Sequence, residues 1–152
     1  MPGDDDVDAQ LAEIAIDNAM TEHMSMTHTA ALIHGTAFVT VSAGDEAAGE
    51  PPALIAGRSA REATALYSRR NRQISAGLTV NTASLDAPNQ LVMWTSEYIL
   101  EIIVEKSRAW VTRKPHALGR VPMERLAFRP HLEQTFGVPR VNDSVMQLTD
   151  AA

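Results

Sequence analysis

The sequence predicts an α+β protein, with a long N-terminal helix, an antiparallel β-rich region after it, and a truncated helix at the C-terminus. Three observations lead there. From Val7 to His34 there is neither Pro nor Gly, and Leu11, Ile14, Ile16, Met20, Met24, Thr27, Ala31 and Ile33 recur largely at helical spacing. After Gly35 the pattern alternates and β-branched residues take over. Near the end Asn142 or Asp143 stands as an N-cap before Ser144, yet the chain stops at Ala152 after barely two turns, too few for an isolated helix to hold.

In chain order, residues 1–6 read as an acidic flexible tail, and the helix spans 7–34. Asp4 to Asp8 place negative charge where a helix N-terminus favours it, and Gly35 sits where a C′ glycine ends the helix. The Met-rich stripe reads as core packing. The β-rich region runs from 37 to 128. It opens with Ala37 to Val41, breaks at the Gly44 to Pro52 loop, and continues through Ala53 to Ala56, Thr64 to Tyr67, the polar turn Ser68 to Arg72, and Ile74 to Val80. In that last run Ile74, Ala76, Leu78 and Val80 share the face expected to be buried. After the turn at Asp86 to Asn89 come Leu91 to Trp94, Tyr98 to Glu105 and Ala109 to Arg113, with Lys106 to Arg108 as a tight turn, and then Val121 to Phe128. In Tyr98 to Glu105 the Tyr98, Leu100, Ile102 and Val104 side is expected inward and the Glu101 and Glu105 side outward; Glu and Leu there also tolerate a helix. Residues 142–152 read as the start of the truncated helix, and the whole of 1–152 as a single domain.

Charge is divided unevenly. Residues 1–50 hold ten acids and no Lys or Arg, whereas the remainder holds all thirteen basic residues and nine acids, for a net −6. Tight autonomous binding to DNA needs a concentrated basic surface, so this balance argues against it. The absence of Cys rules out disulfides and thiolate metal sites and fits an intracellular setting. No apolar run approaches the roughly 18 residues of a membrane span, so no membrane partner is expected.

Catalytic patterns are missing: there is no G-x-S-x-G elbow, H-E-x-x-H, phosphate-binding glycine loop or EF-hand. His23 and His28 lie five apart, off a common helical face, and the Asp4 to Asp6 triplet lacks a preorganised cation geometry. No catalytic residue, metal or cofactor is expected. A hydrolase built on His116 with Glu124 has no nucleophile motif behind it.

The stretch His116-Ala-Leu-Gly-Arg-Val-Pro-Met-Glu-Arg-Leu-Ala-Phe-Arg-Pro130 resembles the "H-x-L-G-R-V-P... R-P" segment of tailed-bacteriophage portal proteins, the head-to-tail connectors of siphophages, particularly those of actinobacteria. Asp17-Asn18 with Thr29 to Val41 resembles that family's "A-L-x-Y-G-x-A-F-V-x-V", with His34 where Tyr is common. Ala65-Leu-Tyr67 and Arg69 to Ile74 resemble its "Y-D-P-x-T-x-x-V" hairpin, with Ser68 for Asp and Arg69 for Pro. Phe136-Gly137 and Leu148 to Ala152 resemble the approach to its next long helix, although Gly137-Val-Pro-Arg-Val141 replaces the usual "G-x-S-E-I".

The resemblance implies a portal wing-like fragment, non-enzymatic, from a middle part of the subunit. In the full-length protein its partners would be the other subunits of a dodecameric ring, capsid and scaffold proteins, terminase, head completion proteins and double-stranded DNA. Its location would be the capsid vertex of the virion, reached through the host cytoplasm during assembly. Arg69, Arg70, Arg72, Arg120, Arg125 and Arg129 are then candidate intersubunit or DNA-facing cations, and Gly35, Gly119, Pro122 and Pro130 direct the chain at turns. The competing reading is a small soluble α+β protein-binding module unrelated to phage. The charge balance predicts feeble nonspecific duplex binding, weaker than about 1 μM at physiological salt; fluorescence anisotropy with labelled duplex checks it.

Overall fold

Gly35 ends the helical part of the chain at a φ of 82°, in the left-handed region that glycine enters without strain. The computed structural model describes residues 4–81, 89–105 and 108–140. Before Gly35 lie α1 (Asp4–Asp17) and α2 (Met20–His34). After it come β1 (Thr36–Ala43), a single 3-10 turn (Glu46–Ala48), β2 (Ala53–Ser59), β3 (Ala63–Ser68), β4 (Gln73–Asn81), β5 (Asn89–Trp94), β6 (Tyr98–Glu105), β7 (Arg108–Pro115) and β8 (Met123–Ala127). With 46% of residues in strands and 23% in helices, the protein is mostly β. The α+β class with one long N-terminal helix is therefore corrected. The expected C-terminal helix at 142–152 and the turns at 86–89 and 106–108 fall wholly or partly outside the described residues.

The long helix fails at Asn18. Its side-chain amide donates to the carbonyls of Ile14 (2.9 Å) and Ala53 (2.8 Å), and its Oδ1 accepts from the Ile55 N–H (2.7 Å). Ala53 and Ile55 lie on β2, at the edge of its sheet, so Asn18 satisfies edge backbone groups. The chain then turns at Ala19, which takes φ 46° and ψ 44°. A left-handed alanine costs about 1–2 kcal/mol. Two hydrogen bonds to β2 at about 1 kcal/mol each offset it. Helical periodicity carries no trace of this long-range bargain, and helix α1 in turn begins at Asp4, inside the segment expected to be a flexible tail.

Three layers result. Helix α2 packs on a three-stranded antiparallel sheet of order β2-β1-β8, and that sheet's other face meets a five-stranded antiparallel sheet of order β3-β4-β5-β6-β7. Thr27 and Ala31 are the buried residues of α2, flanked by the half-buried Met20 and Met24; Met26 is 63% exposed, so the methionines of this helix sit at the margin of the packing and not in the core where they were expected. On β1 the alternation divides cleanly: Ala37 and Val39 face α2, and Phe38 faces the larger sheet, in a core with Ile74, Val92, Trp94, Ile99, Val121 and Met123.

The larger sheet is inverted relative to the sequence reading. Tyr67 pairs with Ile74 but Leu66 pairs with Ala76, so Ser75 is an extra residue, a β-bulge. Past it the inward positions become Gly77 and Thr79, not Ala76, Leu78 and Val80. Thr79 is fully buried and its Oγ1 accepts from the Trp94 indole N–H at 3.0 Å. On β6 the inward residue is Ile99, opposite Trp94, and Glu101 shares its side; Leu100, Ile102 and Val104 turn outward. Strand β6 is a strand and not the helix its composition tolerates.

Gly57 on β2 brings the sheet against α2. A methyl group there would run into the Thr27 hydroxyl, which donates to the His23 carbonyl at 2.7 Å. Gly57→Ala is expected to destabilise the fold by about 1–3 kcal/mol in urea denaturation. Adding Thr27→Ala should recover part of that loss, because the two residues compete for one volume.

Candidate functional site

Strand β8 alternates, and with Met123 fully buried Arg125 is placed on the same inward side. Its guanidinium stacks over the Tyr67 ring at 3.8 Å and reaches the Phe136 ring at 5.7 Å. Phe136 in turn packs edge-on against Tyr67 and beside Phe38, ring centroids 6.1 and 6.2 Å away. Arg125 thus sits at the rim of the core where the two sheets part. Its Nη1 is buried with no hydrogen-bond partner.

This rim opens into a cavity of about 840 Å³ lined by Tyr67, Arg69, Arg72, Arg125, His131, Leu132 and Thr135, with Pro130 at its edge. Three guanidinium residues converge from two distant stretches of chain, the β3–β4 turn and β8. No carboxylate among the described residues lines it. Among the described residues the ion pairs lie elsewhere: Lys114 with Glu101 at 2.6 Å, and Arg120 with Glu124 at 3.1 Å. The cavity is therefore an electropositive recess with Tyr67 and Leu132 as its apolar lining, suited to an anionic group attached to an apolar body.

Of the six candidate cations, Arg69, Arg72 and Arg125 are brought together. The other three are not. Arg70 is on the exposed turn, Arg120 is held by Glu124, and Arg129 lies exposed with its guanidinium 5.4 Å from the Phe128 ring. The turn residues fall where direction changes: Gly119 at φ 68°, and Pro122 buried with its carbonyl accepting from the Val41 N–H at 3.0 Å. Gly35 has a further role, since its carbonyl accepts from the Phe128 N–H at 2.8 Å and packs directly against Gly137. Gly137, at φ 85°, leaves no room for a side chain between the backbones of Gly35 and Phe128.

The sequence reading missed Tyr67, Phe136, His131 and Thr135 as neighbours of these arginines. Alternation along β8 could have placed Arg125 inward beside Met123, but nothing local announces that the 130–136 loop folds back over it. His116 does not join Glu124: its Nε2 donates to the Thr95 carbonyl at 3.0 Å, which fixes the tautomer and anchors the loop after β7. Among the described residues no group of three or more His, Cys, Asp or Glu is placed to hold a metal ion, and no helix is long and apolar enough to cross a membrane.

The chain matches no protein-family model, and no curated protein matches it.

Arg125→Met retains much of the stem and removes the cation. It is expected to lower unfolding free energy by about 0.5–2 kcal/mol, the range of a partly desolvated cation–π contact, by urea denaturation. Arg70→Met, on the exposed turn, should stay within about 0.5 kcal/mol of the parent.

Proposed function

We propose that this chain is a structural, non-enzymatic part of a phage portal, from the wing region at the outer rim of the ring, where it helps seat the portal at the capsid vertex through which double-stranded DNA passes. The observation that supports the reading is the pairing of the two segments that carry the resemblance. Thr36 to Thr40 and Met123 to Ala127 lie side by side as antiparallel neighbours, with Thr36 opposite Ala127 and Thr40 opposite Met123. The intervening Val121-Pro122 is buried against β1.

The pairing joins segments 90 residues apart into one structural unit. Arg69, Arg72 and Arg125 then serve as contacts to other polypeptides, since the net acidity of the chain disfavours a role as an independent grip on DNA. Purified phage particles from a lysate that encodes this chain should contain it by peptide mass spectrometry, and an antibody against it should label a single vertex. Its absence from particles that contain the other capsid proteins would exclude the portal role.

A further inference from the structure

Among the described residues helix α1 finds little to pack on beyond α2. From Val7 to Asp17 every residue is exposed except the half-buried Ile14, and Ile16 is 77% exposed. A helix of 14 residues is at the margin of stability alone in water. Its sequence nevertheless has the form of a docking element. Val7, Leu11 and Ile14 make one stripe, with Asp8 on one flank and Glu13 and Asp17 on the other. The recess beside Arg69, Arg72 and Arg125 has the complementary form: Tyr67 and the 89% exposed Leu132 supply apolar surface, and the arginines supply cations around it.

We infer that α1 of one copy docks in the arginine-lined recess of a second copy, carboxylates on guanidiniums and the Val7–Leu11 stripe on Leu132. Charge complementarity selects this occupant: the first fifty residues supply ten acids without a single Lys or Arg, and the described lining of the recess supplies cations without an acid. The apolar outer face of the larger sheet lacks such a cluster of cations. Each copy carries one helix and one recess, so the contact is heterologous if passed on and isologous if returned. The contact does not depend on the portal reading.

Sedimentation velocity of the full chain over a range of concentrations tests it. The expected result is weak self-association that fades with added salt. Arg69→Glu with Arg72→Glu, and separately Asp8→Lys with Glu13→Lys, should each weaken it by about tenfold or more. An equimolar mixture of the two variants should associate again, because each supplies the surface the other has lost, and this recovery also excludes misfolding. A concentration-independent monomer would overturn the inference, as would association indifferent to both charge reversals. So would a monomer whose α1 amides are protected from hydrogen exchange and lose that protection in the Arg69→Glu/Arg72→Glu variant, which would place the helix in its own recess. Duplex binding lost in that variant, without any self-association in the parent, would assign the recess to phosphate instead.

Discussion

The structure depends on β1 being claimed on all four sides. Its two edges are hydrogen-bonded to β2 and β8, its Ala37 face is covered by α2, and its Phe38 face is covered by the larger sheet. Antiparallel sheets commonly leave one face to water; over Thr36 to Thr40, where β8 also pairs, this strand leaves none, which is why Ala37, Phe38 and Thr40 are almost completely buried, whereas Val41 and Ala43 beyond it are exposed. The Gly35–Phe128–Gly137 crossing secures the arrangement at one end. There the Phe128 N–H donates to Gly35 and the Phe128 carbonyl accepts from Val138, so the chain after β8 is tied back over the start of β1. Phe136 is thereby delivered to the core and Arg125 to the rim. The arginine recess is a consequence of how β1 is enclosed.

Local order was legible in the sequence where local forces decide it. The change of period at Gly35, the strands beginning near Ala37, Ala53, Ile74, Leu91, Tyr98, Ala109 and Met123, and the breaks between them follow from alternation and from Gly and Pro. The helix break and the identity of the inner faces were not legible. Asn18 gives up helical continuity for two backbone groups on a strand 35 and 37 residues further along, and no window of the sequence shows that exchange. Ser75 inserts one residue into β4, and since side chains alternate with a period of two, every position past it changes face.

The inversion has a second cause, which lies in composition. Strands β4 to β6 carry apolar residues on both sides, so hydrophobicity alone does not choose between them. Polar and small residues do. Gly77 leaves space that the Met123 thioether fills, and Thr79 supplies the acceptor that a buried Trp94 indole requires. Leu78 or Val80 in those places would clash with Met123 or leave the indole unsatisfied, at a cost of about 1–3 kcal/mol for the unmade bond alone. The face that looks less hydrophobic in the sequence is inside because it completes the packing and the hydrogen bonding together.

The same logic explains why only half of the candidate cations form a site. Six arginines were legible as residues, but which of them meet is set by the bulge, the β8 alternation and the returning 130–136 loop, none of which is local to an arginine. Arg125 is inward because Met123 is, and at the core rim Tyr67 and Phe136 offer its guanidinium π faces in place of water. Those rings stabilise the cation but supply no acceptor to its Nη1. An aromatic clamp therefore holds the guanidinium in place, and a cation so held loses less conformational entropy on meeting a partner than a freely rotating surface arginine would.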